Sequence, residues 1–233
     1  MPPVEETRQE ARGGVFGRRK GHGLRPGQAR LMETLLPRLR LGLSKPVSGL
    51  PALFARPVRA VWLEIGFGGG EHLAWQAARN PDIGFLGCEP FVNGIAKLLA
   101  EIERRNLANI RIHDGDAGDA LDQLPDAAIG RVYLLHPDPW PKKRHWKRRF
   151  VSAENLDRLA RIMAPGAELR IASDWPDYVD WMLRRLTVHP AFVWTAGCAA
   201  DWRTRPADWP QTRYEAKAVR AGRMPVYLIF RRL

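Results

Sequence analysis

AVWLEIGFGGG, residues 60–70, joins a short apolar run to a turn built almost wholly of glycine, and this junction decides how the chain folds. Ala60 to Ile65 is apolar enough to predict a strand inside a sheet. Gly66, Gly68 and Gly70 let the backbone pass close beneath a ligand and open a helix over Glu71 to Arg79, closed near Asn80-Pro81. Outward from this junction the alternation continues. IGFLGC (83–88) predicts a second strand ending in Glu89-Pro90, and Ile95, Leu98, Leu99 and Ile102 mark one face of the next helix. Asn109 to His113 reads as a third strand leading to Asp114-Gly115-Asp116, with a short helix near 117–124. Val132 to Leu135 is a fourth strand. Ser152 can cap a helix whose buried face is Leu156, Leu159, Ala160 and Met163, ended by Ala164-Pro165-Gly166. Glu168 to Ala172 is a fifth strand, followed by a helix to about Leu186, and 192–195 and 226–230 are two last strands across a long polar segment. Strands alternating with helices predict an α/β fold with a doubly wound, mostly parallel sheet and an antiparallel ribbon on one edge.

The first five strands each deliver a polar or glycine-rich turn at their carboxyl ends, the edge where open α/β sheets bind ligands. The fourth delivers HPDPWPKKRHWKRR (136–149). Pro137 and Pro139 cannot donate to a ladder, so Asp138 is held in a stiff turn. Six of the eight residues after Pro141 are Lys or Arg, interleaved with His145 and Trp146, whose rings suit stacking on an exposed base. The net charge of +12 favours a polyanionic partner over a membrane, because no run reaches the roughly eighteen apolar residues of a span. Arg203, Arg205, Arg213, Lys217, Arg220 and Arg223 are placed to converge with this loop on phosphates. Cys88 and Cys198 stand far apart in sequence without CxxC pairing, which predicts neither a zinc site nor a disulfide framework and fits a reducing cytoplasm.

Three regions follow from composition. Residues 1–27 read as a flexible basic arm, 28–58 as a helix over 28–41 broken by Pro37 and then a Pro- and Gly-containing connector, and 59–233 as the main domain. His72, His113 and His189 read as structural, and Met163 and Met224 as core fillers.

The glycine turn lacks the dinucleotide fingerprint, because Glu71 stands where that pattern needs a third-position glycine and would point an acid at a pyrophosphate. With Glu64 before it, the turn suits a cationic ligand such as S-adenosylmethionine. Glu89, twenty-one residues after Gly68, is placed for two ribose hydroxyls. Asp116 either bonds the adenine amino group or caps the helix while nearby backbone does so.

LEIGFGGG (63–70), GCEP (87–90), HPDPWPKKRHWKRR (136–149), ASDW (172–175) and TRYE (212–215) together resemble the bacterial tRNA (guanine-N7)-methyltransferase family. His136 and Pro141 depart from the pattern, where Phe or Asn and His are common. The resemblance implies a Rossmann-like class I methyltransferase fold of seven strands, S-adenosylmethionine as cofactor without a metal, and tRNA as substrate, methylated at the variable-loop guanine 46. It implies cofactor contacts from Glu64, Glu89, Asp116 and Asp138 beside Gly66, Gly68 and Gly70, with Asp138 also catalytic. It places the substrate at Lys142, Asp174, Thr212, Arg213, Tyr214 and Glu215, and RNA contacts at Arg144, His145, Trp146, Lys147, Arg148 and Arg149. No obligatory protein partner is implied, and monomer and homodimer stay open.

The chemistry of the residues agrees with this family. Guanine N7 carries a lone pair and no proton, so methyl transfer needs alignment more than a strong base. A fixed carboxylate such as Asp138 can stabilise the positive charge that develops, or hold the base by its N–H groups. Asp174 and Glu215 could grip the guanine edge, or else cap helices and pair on the surface. Two other readings are a non-catalytic RNA-binding protein and a nicotinamide oxidoreductase. The intact glycine turn and acids oppose the first; Glu71 and the lack of a hydride-handling His or Tyr beside the sheet oppose the second.

Overall fold

The computed structural model describes residues 19–42 and 49–233. The seven strands are β1 (Ala60–Ile65), β2 (Ile83–Cys88), β3 (Ile110–His113), β4 (Ile129–Leu135), β5 (Met163–Ser173), β6 (Phe192–Trp194) and β7 (Val226–Arg232), in the order β3-β2-β1-β4-β5-β7-β6. The helices are α1 (Pro26–Thr34), α2 (Leu36–Leu39), α3 (Glu71–Arg79), α4 (Val92–Arg105), α5 (Ala117–Gln123), α6 (Ala153–Ile162), α7 (Pro176–Leu186), α8 (Ala200–Arg203) and α9 (Arg213–Arg220). β1 to β5 pair in parallel, and β7 runs antiparallel to both β5 and β6. The antiparallel strand is therefore one place in from the edge, with β6 outside it.

Successive residues of a strand face opposite sides of a sheet, and both sides here are covered. Val61, Leu63 and Leu86 pack with Leu121, Leu159 and Met182 from α5, α6 and α7. Phe85, Ile110 and Ile112 pack with Leu73 and Leu98 from α3 and α4, and with Leu31 and Leu36. Leu63 and Leu98 are fully buried, and each such side chain contributes about 1.5–3 kcal/mol of transfer free energy. The strand order reverses between β1 and β4, which opens a crevice at their carboxyl ends.

Several boundaries differ from the sequence reading. Of the expected arm, residues 1–18 lie outside the described residues; α1 starts within it at Pro26, and Arg19 and Gly21 bond to Val92 and Asn93 at the start of α4. The helical run is interrupted at Leu35, and Pro37 sits in the first turn of α2, where its missing N–H has no partner to lose. Residues 43–48 of the connector lie outside the described residues. Met163 is buried as expected, but as the first residue of β5 opposite Ile129, not on the helix face, because α6 ends at Ile162. Met224 is 81% exposed and is no core filler. The polar segment before β7 carries α8 and α9, which hydropathy did not reveal; the signal for α9 is the Thr212-x-x-Glu215 spacing, in which the Thr212 hydroxyl accepts the Glu215 N–H at 3.2 Å.

Candidate active site

The carboxyl ends of β1, β2 and β4 surround a cavity of about 390 Å³ lined by Gly66, Gly68, Glu89, His136, Asp138 and Tyr214, with Phe91 and Phe150 among the apolar walls. Its volume lies in the range of small-molecule sites. Gly66, Gly68 and Gly70 all have positive φ (70°, 56° and 75°), the conformation that favours glycine. Gly66 and Gly68 line the cavity, whereas Gly70 begins α3 against Leu98 and keeps the two helices close. Gly94 is a residue the sequence reading missed. A Cβ there would lie 2.1 Å from the Gly68 carbonyl oxygen, so its lack of a side chain lets α4 press against the turn. A glycine in the first turn of an amphipathic helix was the available signal.

Glu89 accepts the Gly68 N–H at 2.7 Å and the Phe91 N–H at 2.9 Å, one on each oxygen. Burial raises its carboxyl above the ordinary value, against the lowering effect of those two bonds. Each oxygen keeps a second lone pair for a ligand hydroxyl. Glu64 is buried behind the turn. It takes the His72 Nδ1–H at 2.7 Å and borders a narrow space with Gly66, Thr212 and Tyr214. An acid-lined cavity suits a cation better than a pyrophosphate, and the lining fits a nucleoside with a sulfonium and an ammonium.

Asp138 stands where this cavity meets a second, polar one of about 310 Å³, lined also by Asp116, Trp140, Lys147, Arg148 and Arg149. Its carboxylate has no hydrogen-bond or ion-pair partner among the described residues, and desolvation by its surroundings pushes its pKa up. The backbone on either side of Pro137-Asp138-Pro139 is strained: His136 and Trp140 have φ of 50° and 42°. Non-glycine residues in this region cost free energy and cluster at functional sites. Asp116 caps α5 by accepting the Gly118 N–H at 2.7 Å, and it borders the second cavity, not the first.

The substrate candidates divide. Tyr214 lines the main cavity and is 45% exposed. Asp174 accepts Arg223 Nε at 2.6 Å and His136 Nδ1 at 3.2 Å. Burial pushes the Asp174 carboxyl up, but these bonds outweigh it and hold it below the ordinary value. Glu215 is buried, accepts the Tyr227 hydroxyl at 2.8 Å and forms an ion pair with Arg205 at 3.2 Å. Thr212 caps α9, Arg213 pairs with Glu71 at 3.3 Å, and Lys142 is exposed at the start of the basic turn. Arg205, Arg213 and Arg223, expected on phosphates, thus have acidic partners in the protein.

The basic run winds as a 3-10 turn, Lys143–Arg148. Lys142, Lys143, Arg144 and Lys147 are exposed, and His145 packs edge-on against Trp140 at 5.8 Å. Two residues of the run pack against the body of the protein. Arg149 has a fully buried side chain, paired with Asp177, bonded to the Pro139 carbonyl at 2.9 Å, and held 4.8–5.0 Å from the rings of Trp146, Tyr178 and Trp181. Trp146 is half-buried and packs edge-on against Trp181 at 5.4 Å. A guanidinium among three aromatic faces anchors the loop from within. No spacing in the run distinguishes Arg149 from its neighbours.

Among the described residues no group of three or more His, Cys, Asp or Glu is arranged to hold a metal ion, and no helix is long and apolar enough to cross a membrane. A solved rRNA methylase from Streptococcus thermophilus superposes with a TM-score of 0.52 at 11% identity, covering 75% of this chain and 87% of that one, which shows the class I methyltransferase fold. The profile of a family described as "Putative methyltransferase" matches residues 58–228. A tRNA (guanine-N(7)-)-methyltransferase of Rhizobium meliloti (strain 1021) is 56% identical over 231 residues, 98% of this chain and all (100%) of that one. Another, from Chelativorans sp. (strain BNC1), is 55% identical over 219 residues, 94% of each chain. At that identity over nearly the whole length, the chain belongs to the tRNA (guanine-N(7)-)-methyltransferase family.

Proposed function

We propose that this protein methylates N7 of a guanine in tRNA with S-adenosylmethionine, and that the base is guanine 46 of the variable loop. The observation that carries the reading is the position of Asp138, a carboxylate unpaired among the described residues, between an acid-lined cavity built on the glycine turn and a polar one edged by Lys147 and Arg148. S-adenosylmethionine supplies a methyl group carried on a positive sulfur. Glu89 would hold the ribose hydroxyls, Glu64 and the backbone of Gly66 and Gly68 the amino-acid end, with Gly70 setting the turn, and Asp116 the adenine side.

Asp138 stands where positive charge develops on the guanine ring, and a carboxylate with no partner among the described residues is free to stabilise it. Alignment of N7 with the methyl is the larger requirement. Tyr214 offers the base an aromatic face beside the turn, with Thr212, Arg213, Glu215, Asp174 and Lys142 around it. Arg144, His145, Lys147 and Arg148 would meet the RNA, with Trp146 and Arg149 holding their turn in place from behind. Enzymes that modify bases generally draw them out of the stack, and the open cavity mouth is compatible with that. The proposed setting is the cytoplasm, with tRNA as the partner.

The test is incubation of the purified protein with labelled cofactor and unmodified tRNA, followed by mapping of the alkali-labile methylguanine. Label at guanine 46 is the expected result, abolished when that base is replaced. A folded sample that leaves tRNA unlabelled overturns the reading.

A further inference from the structure

Three separated segments meet at His136. Its N–H donates to the Ala172 carbonyl at 2.8 Å, which keeps the end of β4 on the sheet, yet its φ of 50° turns the backbone left-handed immediately afterwards. The ring, with only 6% of the side chain exposed, is thereby brought between Asp174 and Tyr214. It stacks on Tyr214 with centroids 6.5 Å apart and planes 25° apart. Asp174 takes Nδ1 on one oxygen and Arg223 on the other. An ionised carboxylate has no proton to give, so Nδ1 carries the hydrogen. Nε2 has no hydrogen-bond partner among the described residues, and His136 lines the 390 Å³ cavity together with Asp138.

We propose that His136, with its Nδ1–H fixed on Asp174, contacts the target guanine through Nε2, accepting a ring or amino N–H of the base. The inference rests on the functional reading above and adds a substrate-contacting residue to it. When the N7 lone pair forms its bond to the methyl carbon and the carbon–sulfur pair leaves with sulfur, the guanine gains positive charge and its N–H groups become more acidic. A hydrogen bond from such a group to Nε2 therefore strengthens as the reaction proceeds, which is what accelerates the step. An imidazolium would instead oppose a sulfonium and a base turning cationic. The neutral ring is the productive form.

Groups from several elements pack round this ring. Asp174 comes from the end of β5, Arg223 from beyond α9, and Tyr214 and Glu215 from α9 itself. Glu64, Glu71 and His72 come from β1 and α3, and Glu89 and Asp138 face it across the cavity.

The test compares His136→Asn and His136→Phe with the wild-type enzyme. Asn keeps an N–H near the Nδ1 position for Asp174 but has nothing at Nε2, whereas Phe keeps the ring against Tyr214 and loses both nitrogens. Both variants are expected to lose about tenfold in kcat/KM for tRNA at saturating cofactor. Cofactor dissociation constants measured by calorimetry should stay within about twofold, since the lost contact is to the base. His136→Asn with wild-type kinetics, or a loss confined to cofactor affinity, overturns the inference. Formation of 7-methylguanosine by the wild type in the same assay tests the functional reading separately.

Discussion

Glu89 and Gly68 are joined by a 2.7 Å hydrogen bond that ties the end of β2 to the glycine turn after β1. The carboxylate therefore does two things at once: it holds the turn in shape and faces the cavity. Glu89→Ala should weaken cofactor binding at least about tenfold, because a charge-assisted bond to the backbone and the proposed ribose contact disappear together. Glu89→Gln, which retains an acceptor oxygen, should lose less. Calorimetric titration with S-adenosylmethionine separates the two, and equal affinities in both variants would refute the double role.

Asp138→Asn should lower kcat at saturating cofactor by about 100-fold or more, the scale seen when one charge-stabilising group is removed. Desolvation raises the Asp138 pKa, so the folded protein binds its proton more tightly than the unfolded chain does. Stability contributed by this group is thus gained as pH falls through the raised value, and at neutral pH the ionised carboxylate is unfavourable to folding. Asp138→Asn should accordingly melt about one to three degrees higher at pH 7, with the gap closing toward acid pH. Scanning calorimetry at several pH values checks the sign.

Arg149 and its neighbours should respond differently to removal. Arg149→Ala leaves Asp177 unpaired and three aromatic rings without their cation, and should cost about 3 kcal/mol in urea denaturation. Arg144→Ala and Lys147→Ala, both at exposed positions, should leave stability unchanged. Each should instead reduce the salt dependence of tRNA binding by about one ion, measured by filter binding across ionic strength.

Gly94→Ala should disable the cofactor site from behind. Its Cβ would meet the Gly68 carbonyl at 2.1 Å, and the obstacle is backbone, so the turn or α4 must move. A loss of about 1–3 kcal/mol in stability is expected, with cofactor affinity falling alongside it. A folded variant binding the cofactor as tightly as wild type would show that the turn tolerates the shift.

The sequence by itself determined the elements and the edge at which ligands meet them. β1 and β2 occupy the residues read from their apolar runs, and the positive φ at Gly66, Gly68 and Gly70 was implicit in the glycine spacing. These features are local: an apolar run or a glycine turn is decided within a few residues. The tertiary structure decided which charges face the ligand and which are engaged by the protein. Glu64 has His72, Glu215 has Arg205 and Tyr227, and Asp174 has Arg223 and His136, each partner contributed by another element. Arg149 resembles its neighbours in every respect except that the chain turns it onto Trp181 and Tyr178, about thirty residues away. Burial and pairing depend on what the fold brings close, and one carboxylate or guanidinium is chemically identical to the next until that happens.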